Sequence, residues 1–199
     1  MDDLATQLLR KTLYGAPIKT PVRNGATMFS GLSQSWWVNL AGFQLAWWLC
    51  ILMGNDALWM VFALLVMHLI GHRKPAVESA VITCCALLGF AVDTFLTVYG
   101  VFIFGSGQGW PPLWLFLLWF AFSATLRQGL AWFSGRYVHA AVAGSLVGTL
   151  TYLAAGRLGA VSFGIAELQV ALMLALVWFL LFPALVKLAD TLGGWRVTA

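Results

Sequence analysis

Six apolar runs separated by short polar breaks fill most of the chain, at roughly 36–53, 57–71, 76–104, 111–133, 137–156 and 168–188. A transmembrane helix needs about 20 predominantly apolar residues, and each run is near or above that length. The second is short and ends in the basic cluster His72-Arg73-Lys74. The fifth is rich in Gly and Ala rather than Leu, but Ala140, Gly144 and Gly148 recur every four positions. That spacing lets helices approach closely inside a bundle. The breaks have local causes. Gly54-Asn55-Asp56 and the Gly-rich stretch 105–109 read as turns, and Pro75 and the Pro111-Pro112 pair suit first-turn positions of helices. The expected fold is all-α, a polytopic bundle of six transmembrane helices over 36–190, with a short polar tail at 191–199.

Residues 1–35 stand apart as a polar preamble. Leu4, Leu8, Leu9 and Leu13 recur at helical spacing with Gln7, Arg10 and Lys11 opposite, the pattern of an amphipathic helix lying on a membrane surface. Gly15, Pro17, Pro21 and Gly25 follow closely and equally fit an unstructured tail. No secretory signal peptide is expected, because the first residues include Asp2 and Asp3 and the apolar run starts only near Trp36.

Composition agrees with a membrane protein. The chain is 61% hydrophobic and 9% charged, against about 25% charged in soluble domains. Its net charge of +4 does not point to nucleic acid, because the basic residues lie at segment ends. With six spans, one side holds Arg10, Lys11, Lys19, Arg23, Arg73, Lys74, Arg127, Arg136, Lys187 and Arg196, and the other holds Arg157 alone. The positive-inside rule then puts both termini in the cytoplasm. Trp36, Trp37, Trp59, Trp110 and Trp195 fall near predicted ends, as interfacial anchors do. Cys50, Cys84 and Cys85 lie inside apolar runs, so neither a disulfide framework nor a thiol-exchange motif is read from them.

The candidate chemistry is a set of polar residues within the apolar runs. Asp93 is the most telling, since a charge at mid-bilayer is costly and needs a partner. At 1.5 Å per residue from the outer ends of their predicted spans, Asp93 and His68 come out at roughly 17 Å, Arg127 at roughly 21 Å and Gln44 at roughly 14 Å. Gly89, Asp93, Thr97 and Gly100 share one helical stripe, and Trp119, Ser123 and Arg127 share another. These positions predict an intramembrane polar layer of Asp93, Arg127, His68 and Gln44 centred on an Asp93–Arg127 ion pair. Such a pair is either a structural lock between two helices or a binding pocket, and both readings stand.

Other polar residues carry weaker signals. His68 and His72 share a helical face and could ligate a metal with Glu78 or His139, but no third ligand is fixed, so no metal and no cofactor is expected. Glu78 reads as the surface partner of Lys74 four residues earlier. Glu167 either pairs with Arg157 across the last outer loop or caps the last helix. Metalloprotease, nucleophile-elbow, di-iron and nucleotide-binding signatures are absent, and the Gly-rich stretch at 105–109 follows no strand. No catalytic residue is assigned.

Asn39 with Phe43-Gln44 and Trp47, Gly89-x-x-x-Asp93-Thr94, Pro111-Pro112-Leu113-Trp114 leading to Trp119, and Thr125-Leu126 together resemble a family of bacterial inner-membrane proteins classed as a domain of unknown function. The resemblance covers about residues 35–190. It implies genes lying beside a cyclopropane-fatty-acyl-phospholipid-synthase-like methyltransferase, and so a role in modifying membrane fatty acids, with membrane lipids and a lipid-modifying enzyme as partners. Two functions remain open: an accessory subunit of phospholipid acyl modification, or a small transporter using Asp93 as its coupling carboxylate. The absence of a convincing internal repeat, which many transporters carry, favours the first.

Overall fold

A computed structural model describes residues 35–105 and 109–194. The leucines of the N-terminal preamble, residues 106–108, and Trp195 and Arg196 of the tail lie outside the described residues. Each of the six apolar runs contains a helix: α1 (Trp36–Met53), α2 (Leu58–Ile70), α3 (Pro75–Val98), α4 (Leu113–Ser123), α5 (Tyr137–Arg157) and α6 (Glu167–Leu192). Among the described residues, four stretches are long and apolar enough to cross a membrane by length and composition. They are Trp36–Ile70, Pro75–Val98, Tyr137–Arg157 and Glu167–Leu192, and α4 is shorter. Their outer faces expose large apolar side chains such as Trp59, Ile70, Val138 and Leu168. So much apolar surface suits lipid better than water.

The stretch Trp36–Ile70 is a hairpin rather than a rod. Gly54 adopts φ 56, outside the helical range, and a single 3₁₀ turn at Gly54–Ala57 leads into α2. Asn39 Nδ2 consequently lies 3.5 Å from His68 Nδ1, whereas a straight helix would hold these residues about 43 Å apart. The remaining helices alternate in direction in the same way. At the Gly54 end, the Trp114 N–H donates to Asn55 Oδ1 at 3.1 Å, and Phe102–Ile103 (β1) pairs antiparallel with Ser162–Phe163 (β2). At the opposite, Pro75 end, the α2–α3 connection meets the segment after α4 and the last residues of α6.

Two boundaries differ from the sequence reading. The third run was expected to stay helical to Phe104, but α3 ends at Val98. Gly100, at φ 72, turns the chain, and the residues beyond it form β1. The fourth run was expected to reach 133, but α4 stops at Ser123. There the Thr125 hydroxyl donates to the Phe122 carbonyl at 2.6 Å, competing with the helical ladder. Asn39 then holds the irregular backbone from across the bundle. Its Nδ2 donates to the Ala124 carbonyl at 3.1 Å, and its Oδ1 accepts the Gly129 N–H at 3.0 Å. Non-helical backbone at membrane depth survives where protein groups satisfy it in this way.

Two close helix contacts organise the core. Gly89 lets the Trp119 ring of α4 lie directly on α3, where any side chain would collide with it. Gly144 and Gly148 likewise admit Trp178 and Phe182 of α6 against α5, as the four-residue spacing of small residues predicts. The two glycines bound a π-helical turn, Gly144–Gly148, within α5. Such turns are rare and frequently mark functional sites.

Candidate functional site

The predicted polar layer resolves into two separate centres. Glu78 and Asp93 both project from α3 into the protein, but about 22 Å of helix lies between them. The expected Asp93–Arg127 ion pair therefore does not form. The sequence ruler erred because it measured Asp93 from Phe104. The helix ends at Val98, which leaves Asp93 about 8 Å from its end. His68 and Arg127 lie instead at the Pro75 end of the bundle.

At that end Glu78, not Asp93, takes the arginine. Arg127 Nη1 donates to Glu78 Oε2 at 2.7 Å, and Arg127 Nη2 donates to the Gly193 carbonyl at 3.3 Å. His68 Nε2 lies 3.4 Å from Glu78 Oε1, and His72 Nε2 lies 3.4 Å from Oε2. The hydrogen-bond roles are consistent. Asn39 donates to His68 Nδ1 and the Lys74 N–H donates to His72 Nδ1 at 3.2 Å, so each ring turns an Nε2–H toward the carboxylate. Glu78 is 0% exposed. Its expected surface pairing with Lys74 is thus replaced by a buried hub joining α2, α3, the segment after α4 and the end of α6. His139 packs against Trp132 instead. Among the described residues, no group of three or more His, Cys, Asp or Glu side chains is arranged to hold a metal ion.

Asp93 has neutral partners. Trp119 Nε1–H donates to its Oδ2 at 2.7 Å, and the Tyr152 hydroxyl donates to the same oxygen at 2.5 Å. The residue is 2% exposed, and the Thr97 hydroxyl donates to its backbone carbonyl at 2.7 Å. Both of its partners are cavity walls. Trp119 and Tyr152 line an internal cavity of about 390 Å³, together with side chains of α1, α4, α5 and α6. Trp178 stacks on Trp119 with ring centroids 5.7 Å apart, and Phe102 stacks on Tyr152 at 5.1 Å. Asp93 therefore fixes two adjoining aromatic plates from behind.

The cavity is long and apolar. It runs beside α1 from Leu40 to Ile51 and beside α5 from Ala143 to Ala155, a length of about 16 Å. Gln44, Thr151 and Tyr152 contribute amide and hydroxyl groups, and the rest of the wall is aromatic, aliphatic, glycine or alanine. Gln44 of the predicted layer thus belongs here, on an exposed stretch of α1. Helices α1 and α5 both contribute to the wall. Of the lining residues, Gln44 and Val147 are exposed.

Sequence reasoning named Asp93, Gln44, His68 and Arg127 but missed Glu78, Tyr152 and Asn39 as organising groups. The nearby lysine obscures Glu78, and Tyr152 stands among the small residues of the Gly- and Ala-rich fifth run. Asn39 stands out in the sequence only as part of a motif, although an amide inside an apolar run itself needs partners.

Residues 36–184 match a family of proteins of unknown function (DUF2878), and the chain belongs to that family. No curated protein and no solved structure matches the chain.

Proposed function

We propose that this DUF2878 protein is a six-pass protein of a bacterial inner membrane that takes the hydrocarbon chain of a membrane lipid into its aromatic cavity. In this reading it serves the modification of membrane fatty acids or phospholipids. The observation that carries it is a long cavity with almost no polar wall, whose lining includes the exposed Gln44 and Val147. Ligand sites are typically apolar clefts with a few placed polar groups, and this one has the shape and lining of an acyl chain. The alternating helix directions support six passes. Five described basic residues, Arg73, Lys74, Arg127, Arg136 and Lys187, lie toward the Pro75 end, against Arg157 at the other. That asymmetry supports cytoplasmic termini. A polar transport path through Asp93 and Arg127 has less support, given their separation and the apolar cavity between α1 and α5.

The test is photo-crosslinking in nanodiscs with a phospholipid bearing a diazirine near the middle of its acyl chain. Adducts should concentrate on cavity residues such as Leu118, Val147 and Trp178. Ala143→Phe, which fills the cavity, should abolish these adducts while the protein stays folded. Labelling spread evenly over the outer apolar faces, unchanged by Ala143→Phe, would sink the proposal.

A further inference from the structure

The polar groups of the cavity wall are unevenly supplied with partners. The Thr151 hydroxyl donates to the Val147 carbonyl at 2.8 Å, and the Tyr152 hydroxyl donates to Asp93, so both protons are committed. Gln44 has no hydrogen-bond partner among the described residues, and neither have the indole N–H groups of Trp47, Trp114 and Trp178. These three nitrogens are not among the buried polar atoms closed off without a partner, so they reach open space. Gln44 belongs to the stripe Leu40, Phe43, Gln44, Trp47 and Ile51, which lines the cavity at helical spacing. It lies about 12 Å along α1 from Trp36 and about 14 Å from Met53. Helix α1 is about 27 Å long, close to the thickness of a hydrocarbon core at about 30 Å. The amide is therefore carried near mid-membrane. No Asp, Glu, Lys, Arg or His lines the cavity.

We infer that the hydrocarbon chain entering the cavity carries an uncharged carbonyl oxygen, which accepts a hydrogen bond from Gln44 near mid-membrane. The inference rests on the cavity reading above and deepens it by naming the ligand's chemical class. An amide in hydrocarbon without a partner is costly, and this one lines the space that the ligand fills. Trp47, three residues on, is its neighbour on the helix surface and carries a second free donor. Free donors call for an acceptor, and a carbonyl oxygen accepts without bringing a donor that would itself need pairing. The lack of any cation on the wall sets the charge, since a carboxylate or phosphate here would be buried without a counter-ion. Depth sets the position. The ester carbonyls of an ordinary phospholipid lie outside the hydrocarbon core, about 15 Å from its centre, and do not reach Gln44 while the head stays at the interface. Two kinds of ligand place the oxygen at the right level. One is an acyl chain with a keto group near its middle, and the other is a headless ester of a fatty acid and a fatty alcohol.

Competition against the mid-chain diazirine phospholipid in nanodiscs tests this with three unlabelled lipids. They are dioleoyl phosphatidylcholine, a phosphatidylcholine with a keto group near the middle of each acyl chain, and oleyl oleate. At least one carbonyl-bearing competitor should displace the label from Leu118, Val147 and Trp178 about tenfold more effectively than dioleoyl phosphatidylcholine, a difference of about 1.4 kcal/mol. Which one prevails identifies the source of the carbonyl. Gln44→Leu should bring the three competitors level, while its thermal unfolding matches the parent because the amide has no partner inside the protein. No advantage for either carbonyl, or an advantage that survives Gln44→Leu, overturns the inference while the cavity reading stands. A Gln44→Leu protein that loses stability overturns it too, since the amide would then be paired within the fold. So does a Gln44→Leu protein that passes from dimer to monomer in native mass spectrometry with its competition unchanged, which would pair the amide with a second copy. Adducts that are indifferent to Ala143→Phe overturn the cavity reading itself, and this inference with it.

Discussion

Glu78 and Asp93 are two buried carboxylates on one helix, and their surroundings could hardly differ more. Glu78 faces an arginine and two histidines. Asp93 faces an indole N–H and a phenol. The first arrangement ties together four parts of the chain at the basic end of the bundle, and it looks away from the cavity. The second uses neutral donors that are themselves cavity walls. A carboxylate in an apolar run thus says only that something holds it. Whether it belongs to a lock or to a site depends on the partner, and the partner is decided by helix ends rather than by hydropathy.

Breaking the lock should have the largest effect. Arg127→Met leaves Glu78 buried without its arginine, and breaking a buried pair in this way typically costs about 3–5 kcal/mol. Thermal unfolding in a mild detergent should show a large loss for Arg127→Met and for Glu78→Lys. The combination Arg127→Met, Glu78→Gln should recover most of the loss, because no uncompensated charge remains. If the double variant is no better than Arg127→Met alone, the hub is not acting as an ion pair. Asn39→Leu probes the same region from another side, because it strips the Ala124 carbonyl and Gly129 N–H of their partner together.

Most of the bundle was legible in the sequence. The runs at 36–53, 57–71, 137–156 and 168–188 map closely onto α1, α2, α5 and α6, because turn residues and prolines bracket them. The small-residue stripe Ala140, Gly144, Gly148 foretold the contact with Trp178 and Phe182. What failed was the assumption that apolar means helical. Residues 101–104 and 124–133 are apolar enough to extend α3 and α4, yet Gly100 and the Thr125 and Asn39 hydrogen bonds end those helices. The error then passed to the site, since depth was measured from the wrong ends and matched Asp93 with Arg127 instead of Glu78. The cavity was invisible for a different reason. Its wall is drawn from four helices, and no single helix carries more than ordinary apolar residues.

Removing one neutral donor from Asp93 should cost less than breaking the lock. Tyr152→Phe takes away a buried hydrogen bond to a carboxyl group, a loss of about 1–3 kcal/mol, while Trp119 still donates to the same oxygen. Its sharper consequence is on the cavity. With the ring no longer tethered to Asp93, acyl-chain photolabelling should redistribute away from α5, and Asp93→Asn should move it in the same direction. Arg127→Met should leave the labelling pattern of the folded fraction unchanged. A matching redistribution in Arg127→Met would mean that the two centres are not separate.

The smallest effect belongs to the pair that looks strongest by distance alone. Arg157 Nη2 donates to Glu167 Oε1 at 2.8 Å, within 0.1 Å of the 2.7 Å contact between Arg127 and Glu78. Yet the Arg157 and Glu167 side chains are 76% and 51% exposed, against 16% and 0% for Arg127 and Glu78. Exposed ions remain hydrated, and salt screens them within about 10 Å at 0.1 M. Surface pairs of this kind often contribute nothing measurable. Arg157→Ala should therefore leave the unfolding temperature where it is at 0.15 M salt, with any small shift vanishing as salt is raised. A loss that rivals Tyr152→Phe and persists in high salt would show that the Gly54 end is less hydrated than these exposures imply. In that case burial would have to be reckoned with the surrounding membrane as well as the protein, for this pair as for the two carboxylates of α3.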